Sequence, residues 1–364
     1  MRLTAATVVE VSEPLYSVQR LVLQRLVCEC ADGQRVAALN YLELGAPVAV
    51  GEPVTLNVTA LDLQLGTGGV AFVVPKDAPL PSASSGHIIK LRYTPLQRDV
   101  LAVEEQSSPH HTKMQQARSL QGVPVVCCNL HSQMPLVAAA ARQSAPAASI
   151  VYCMTDAAAL PLAFSQIAAA ARDAGLISAT ITCGQAIGGD LEAVNLHSGL
   201  LAARHVLNAD IIIVALGPGI VGTDTPFGHG GIAQAEALNA AAALDGVPIA
   251  TLRLSFADQR PRHQGLSHHS VSALGRACLA QAILALPADL PPAQHDAIML
   301  TLEDQGLLDK HGLIEVPMPP QPPDLRGVQV TSMGRSQAED PAFFSAACAA
   351  GYLAARFYFE RRDA

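Results

Sequence analysis

The sequence predicts an α/β fold, a mainly parallel sheet covered by helices on both faces, with a small N-terminal antiparallel β-barrel-like domain. Three observations predict it. Up to about residue 80 the apolar residues alternate or cluster in β-branched runs between turn residues; beyond it, short apolar strands alternate with alanine-rich stretches of helical length; and the Pro/Ser/Gly stretch PKDAPLPSASSG separates the two textures. A chain of 364 residues is also longer than one hydrophobic core usually grows. The expected division is 1–80, the barrel, and 81–364, an α/β (Rossmann-like) domain with a C-terminal strand-helix extension.

In the barrel the runs VVEVSE, RLVLQRLVCECA, RVAALNYLEL, EPVTLNVTALDLQL and GVAFVV read as strands, turned by Asp32-Gly33, Gly51 and Gly68-Gly69. In the larger domain the strands are Val123 to Asn129, Ser149 to Met154, Ala179 to Cys183, Asp210 to Leu216 and Val247 to Leu254. Continuous apolar strands separated by helices mean a parallel sheet buried on both faces. Gly175 and Asp245-Gly246 sit where helices should end. A helix around Gln294 to Leu308, a strand in GVQVTSMGRS and a helix from Pro341 to Phe359 complete the chain.

Composition excludes several classes of function. Half of the residues are hydrophobic and 15% are charged, so the chain folds rather than staying disordered. With 23 basic against 31 acidic residues, net −8, there is no general attraction to nucleic acid or anionic lipid. The barrel segment has few Lys or Arg, and only Tyr16, Tyr41 and Phe72 as stacking aromatics, which argues against an RNA-contacting module. Mean hydropathy is +0.29. The longest apolar run, Ile211 to Val221, falls short of the ~20 residues a membrane span needs and is broken by Gly217, Pro218 and Gly219. No secretory signal opens the chain, so a cytoplasmic setting with eight reduced cysteines is expected, and this much apolar surface leaves room for a homo-oligomer.

Ligands of open parallel sheets bind at the carboxyl ends of the strands. There the sequence places Asn129, His131 and Gln133 after the first strand, Thr155 and Asp156 after the second, and Gly188, Gly189, Asp190 and Glu192 after the third. GPGIVGTDTPFGHGG follows the fourth, and Ser255, Asp258, Arg260, Arg262 and His263 follow the fifth. The glycine- and threonine-rich loop could cradle an anion through Gly217, Gly219, Gly222, Thr223, Thr225, Gly228 and Gly230, or its glycines could simply permit tight turns. Proline between Arg260 and Arg262 favours an extended geometry in which both guanidinium groups clamp a phosphate or carboxylate; pairing with nearby acids is the alternative. Ser267-His268-His269-Ser270 reads as a helix start with Ser267 as N-cap and Val271, Leu274, Cys278 and Ala282 along one face. Adjacent helical residues diverge by about 100°, so a shared metal would require an irregular turn.

The expected catalytic set is His131, Asp156, Asp190, Glu192, His263 and His268, a combination suited to acid/base work or to a divalent metal cofactor. Asp156 and Asp190 have helix capping as their alternative. No H-E-x-x-H, paired C-x-x-C or G-x-S-x-G motif specifies the reaction, and no Lys follows the glycine loop to make a P-loop.

The blocks GHIIKLRYTPLQ, CNLHSQMP, VYCMTDAAALPLAFS, GDLEAVNLHSGLLAA, GPGIVGTDTPFGHGGI, SFADQRPRHQGLSHHS and MGRS, in this order, resemble an uncharacterised bacterial family of about this length, known only as a domain of unknown function. The resemblance runs from the barrel to the last helix and implies no activity, substrate or catalytic residue. The residues themselves point to an enzyme, a hydrolase or group transferase, acting on a small anionic, phosphorylated or nucleotide-derived metabolite. A non-catalytic metabolite-binding regulator is the competing expectation.

Overall fold

The computed structural model describes residues 3–12, 17–18, 21–42, 45–58, 61, 69–74, 86–91 and 98–363. The chain forms two compact units, Met1–Val100 and Leu101–Ala364. The division falls after the small hairpin Ile88–Lys90 and Arg98–Val100, further along than the change of composition near residue 80. Apart from Gly86, the linker-like stretch lies outside the described residues.

In the first unit, β1 (Leu3–Ser12), β2 (Leu21–Cys30), β3 (Arg35–Tyr41), β4 (Pro53–Asn57) and β5 (Ala71–Val74) close into a barrel in the order β1-β4-β5-β3-β2-β1. Only β3 and β5 run parallel. Closure is possible because β1 is long and bent. A bulge between Val8 and Glu10 lets its first half pair with β4 and its second with β2. Alternation fills the interior: Ala6, Val8, Leu26, Cys28, Val36, Ala38, Val54, Leu56 and Ala71 form its core. At one end Gln24 and Asn40 replace apolar residues on the inward face. Asn40 donates to Gln24 (3.2 Å) and to the Ala46 carbonyl (2.9 Å), while Gln24 bonds both backbone groups of Val48, so the loop before β4 is tied across the barrel.

The second unit is an eight-stranded sheet, parallel throughout. Its strands are β6 (Pro124–Cys127), β7 (Ile150–Thr155), β8 (Ala179–Cys183), β9 (Leu191–Ala193), β10 (Ile211–Leu216), β11 (Val247–Thr251), β12 (Ile283–Pro287) and β13 (Gly312–Val316). Their order is β9-β8-β7-β10-β6-β11-β12-β13. β6, β8 and β10 are wholly buried, β6 and β10 as uninterrupted apolar runs and β8 with the hydroxyls of Thr180 and Thr182 hydrogen-bonded to Asp190 and Glu192. Two differences from the sequence reading concern the final third: β12 and β13 were not anticipated, and the expected strand in GVQVTSMGRS is irregular chain closed by a Ser332–Arg335 bridge.

One face carries α1 (Met134–Ser144), α2 (Gln166–Asp173) and the C-terminal helix α7 (Pro341–Asp363). The other carries α3 (Leu196–His205), α4 (Ala233–Ala243) and α6 (Pro292–Asp304). Alanine and glycine let helices approach closely: a Cβ on Gly351 of α7 would collide with the Val137 carbonyl of α1. α7 is the one described helix long and apolar enough to cross a membrane, but it is mostly buried inside this core. All eight cysteines are free, and seven are buried.

The connection after β6 leads to α1 on one face, and the connection after its neighbour β10 leads to α4 on the other. Where adjacent strands send their helices to opposite faces, their carboxyl-end loops part and leave a crevice.

Candidate functional site

The floor of that crevice is a buried amide network. Gln133 Oε1 accepts from the backbone N–H groups of Asn129 (2.9 Å) and Leu130 (3.0 Å) and from Thr251 Oγ1 (2.9 Å), and its Nε2 donates to the Leu252 carbonyl (3.1 Å). Gln234, at the start of α4, donates to the carbonyls of Cys127 and Thr251 (2.8 Å each) and accepts from Asn129 Nδ2 (3.1 Å). These bonds lock the ends of β6 and β11 to the start of α4. The Oδ1 atom of Asn129, fully buried, has no partner.

The loop after β10 folds into a narrow hairpin. Gly222 pairs with His229, the Thr223 N–H donates to the Gly228 carbonyl (2.9 Å), and Gly230 N–H donates to the Val221 carbonyl (3.0 Å). Thr223 Oγ1 also donates to the Gly228 carbonyl and Thr225 Oγ1 accepts from Gly228 N–H, so both hydroxyls serve the loop itself. The glycines fit close contacts: a Cβ would collide with the Ala159 carbonyl at Gly217 and with the threonine hydroxyls at Gly228. At Gly230 it would crowd Ile220, while Gly219 turns the chain at φ 92°. The hairpin delivers His229 into the crevice, where its Nε2–H donates to the Pro226 carbonyl (3.2 Å). Its Nδ1 therefore carries the lone pair, and that atom is buried without a partner.

A second excursion follows β11. Leu254–Ser255 pairs antiparallel with Gly265–Leu266, folding the chain back so that His263 meets the helix His268–Ser272, α5. Ser267 caps this helix, accepting from the His269 N–H at 3.3 Å, as its sequence suggested. The helix is only five residues long and passes into a π turn, Ala273–Ala277, ending at Cys278 instead of continuing to Ala282. His268 and His269 do not diverge: their ring centroids lie 4.4 Å apart, each 5.0 Å from the His263 ring. His229 stacks on His269 at 3.8 Å with the rings 5° from parallel, and lies 5.6 Å from His268. One ring nitrogen from each of His263, His268 and His269 lies within 4.8 Å of the others.

The environment keeps these rings neutral. Burial first, then the positive charge of Arg253, pushes His263 down to about 3 and His269 to about 2; burial likewise lowers His229 and His268. Arg253 is 6% exposed, and its Nη1 donates to His269 Nδ1 at 2.7 Å. Burial lowers it to about 10. The nearby carboxylates serve other arginines. Asp258 takes Arg260 through two bonds (2.9 and 2.7 Å), which hold its carboxyl well below the usual range, and also Arg335 (3.4 Å). Asp340, which accepts from Ser255 (2.7 Å), takes Arg335 at 3.1 Å. This network braces the hairpin against the start of α7 and gives the MGRS segment its structural role. Arg262 extends to Asp224 at 3.0 Å, both groups well exposed.

The remaining sequence candidates lie apart from the histidine cluster in their bonding. His131 donates from Nδ1 to the Leu216 carbonyl (3.0 Å) and accepts at Nε2 from Ser165 Oγ (2.6 Å), so both nitrogens are in use. Asp156 accepts from Gln185 N–H (2.8 Å); the cap of the following helix is Ser165, which accepts from Ala168 N–H (2.9 Å). Asp190 accepts from Thr180 N–H and Oγ1 (2.8 and 3.1 Å) and pairs with Arg172 (3.3 Å). Glu192, on β9, accepts from Thr182 Oγ1 (2.7 Å) and Gly188 N–H (2.8 Å).

Sequence reasoning missed His229 and Arg253 as site members, and of His268 and His269, expected as one acting and one packing ring, it named only His268. Arg253 had a signal: an arginine inside the apolar run ATLRLS is a charge that the fold must bury. His229 had none beyond its place in the glycine loop.

No curated protein and no solved structure matches this chain. A family model described as a protein of unknown function (DUF3866) matches residues 37–351, from β3 of the barrel through to α7, and the chain belongs to that family.

Proposed function

We propose that this protein is an enzyme, a hydrolase or group transferase, that acts on a small anionic metabolite, phosphorylated or nucleotide-derived, in the crevice at the carboxyl ends of β6, β10 and β11. The observation that carries this reading is the setting of Arg253, a buried guanidinium bonded to an imidazole while the nearby carboxylates are committed to Arg260 and Arg335. Burial and the neighbouring arginines outweigh the attraction of Asp258 at this cation, and a bound anion would supply the opposite charge it lacks in direct contact. The imidazoles beside it offer both proton-transfer roles. Arg253 occupies Nδ1 of His269, leaving that ring an Nε2–H donor, while His229 presents a lone pair at Nδ1. A donor and an acceptor side by side can protonate a leaving group and take a proton from an attacking water or hydroxyl. At the rim, Arg262 is held only by an exposed carboxylate and is free to turn to a ligand, whereas Arg260 is pinned to Asp258. The unbridged cysteines support a reducing, cytoplasmic setting.

The test is a thermal-shift screen of chelator-treated protein with inorganic phosphate, nucleotides, sugar phosphates and carboxylates. A phosphate-bearing ligand that raises the melting temperature of the native protein but not of Arg253→Met supports the site. Equal shifts in both proteins, or none in either, overturn it. Saturable binding of phosphate esters, none of them turned over, reassigns the crevice to a sensor.

A further inference from the structure

We infer that His263, His268 and His269 form a binding site for one divalent transition-metal ion, and that filling it detaches Arg253 from His269. The inference deepens the reading of this crevice as an active site and rests on it. The geometry is close to what ligation needs. Three imidazole nitrogens, one per ring, already lie within 4.8 Å of one another. Tetrahedral zinc with Zn–N of about 2.0–2.1 Å sets its nitrogens about 3.4 Å apart, so modest ring rotations bring them in. A second observation points to a ligand: Nε2 of His268 and Nδ1 of His229 are both buried without any hydrogen-bond partner, and His229 is 5% exposed. A buried ring nitrogen without a partner is costly, and a metal would satisfy it. The supporting bonds suit ligation as well, since His263 Nδ1 is held by Ser267 Oγ at 2.7 Å, leaving its Nε2 for an ion. An all-imidazole set selects zinc, cobalt, nickel or copper over magnesium or calcium, which require oxygen ligands.

The detachment of Arg253 follows from counting protons on His269. A neutral imidazole has one N–H and one lone pair, and in this structure Arg253 donates to Nδ1. If the metal takes Nδ1, it takes the lone pair that Arg253 uses. If it takes Nε2, the proton must sit on Nδ1, where it faces the guanidinium donor. Either way the Arg253–His269 bond and ligation by neutral His269 exclude one another. The metal and the freed guanidinium would then face the same anion.

Cobalt(II) titration of the chelator-treated full-length protein, with no phosphate or other added anion, tests this through the visible absorption of tetrahedral cobalt. One ion per chain is expected. His268→Asn should weaken binding more than about 100-fold, a loss larger than the 10–100-fold typical of supporting residues. Arg253→Met should tighten it by about tenfold or more, the worth of a charged hydrogen bond no longer in competition. His295→Asn, a surface histidine beside Glu315, should change nothing. Circular dichroism checks the fold of each variant, and the partly exposed His268 is chosen over buried His263 for that reason. No tetrahedral cobalt signal in native protein, or native affinity in folded His268→Asn, overturns the site; a bound ion that Arg253→Met holds no more tightly overturns the detachment. Cobalt failure with an intact phosphate shift defeats this inference alone, while the reverse result defeats the proposed substrate class alone.

Discussion

The carboxyl ends of β7, β8 and β9 and those of β6, β10 and β11 both carry ionisable residues, and the two groups differ in what those residues have left to offer. On the first side Asp190 and Glu192 spend their oxygens on backbone N–H groups and threonine hydroxyls, and Asp156 receives Gln185. On the second side His229 and His268 keep buried nitrogens without partners, Asn129 keeps an oxygen, and Arg253 is bonded to an imidazole while the neighbouring Asp258 is hydrogen-bonded to Arg260 and Arg335. Position at a strand end is thus shared by residues that close the fold and residues that are open to a ligand. Among the acids and the clustered histidines, unspent hydrogen-bonding capacity separates them, because a fold built for stability alone satisfies its buried polar groups; the hydroxyl of Thr155, at the end of β7, is an unpartnered atom on the first side.

Substitutions on the two sides should therefore dissociate. Arg253→Met is expected to lower affinity for a bound phosphate by about 3 kcal/mol, roughly 100-fold, since an interior charge loses its partner. The same change should leave stability unchanged or improved, because replacing a buried ion with an apolar side chain of similar length removes a desolvation cost. Isothermal titration and urea unfolding on one preparation measure both quantities. Stability lost without a change in affinity would place Arg253 with the structural group.

His131 follows β6 on the open side, yet both of its ring nitrogens are already in use, and it gives the next largest effect, through pH. Burial lowers it from 6.5 to about 4, opposed in part by the Leu216 carbonyl. As pH falls below 6.5 the unfolded chain protonates this ring while the folded chain does not, so the unfolded state binds more protons and stability declines until about pH 4. The loss from this group is about 3 kcal/mol at most, complete by the folded value. Urea midpoints of native protein and His131→Gln at pH 7, 5 and 4 should converge as the pH drops; parallel curves would remove His131 from the acid sensitivity. Asp190→Ala should cost about 2 kcal/mol at neutral pH by stranding the Thr180 N–H, with phosphate affinity unaltered.

Much of this architecture is legible in the sequence because burial on both faces of a parallel sheet forces continuous apolar strands. Ile211–Leu216 follows from that alone, and Ala179–Cys183 from the same pattern with two β-branched threonines. β12 and β13 escape because ILALP and GLIEV are short and lie among prolines and charged residues, while GVQVTSMGRS alternates like a strand yet is recruited by Arg335 to Asp258 and Asp340. Site membership is less legible for a physical reason. Which side chains converge depends on two hairpins, Val221–Gly230 and Leu254–Leu266, whose folding is set by contacts distant in sequence such as Ser255–Asp340. The π turn after Ser272 is equally invisible to helical periodicity, which continues smoothly through Ala282. His263 and His268 could be named from sequence, whereas the ring stacked on His269 came from a loop read for its glycines.

The smallest expected effects concern Arg262, and they decide whether the rim of the open side takes part in binding. Its pair with Asp224 is exposed at both ends, 37% and 69%, so solvent and side-chain entropy reduce its worth to within about 0.5 kcal/mol. Arg262→Ala should leave the melting temperature essentially unmoved. If the guanidinium leaves Asp224 to meet an incoming anion, the same variant should weaken phosphate binding by a few fold, more at low salt than at high. Asp224→Asn then carries the opposite sign, since it frees Arg262 and removes a repelling charge, and phosphate should bind more tightly by a similar factor. Opposite signs from the two partners of one ion pair cannot come from a loss of fold, which would weaken binding in both. Unchanged affinity in both variants would confine recognition to Arg253 and the histidines beneath it.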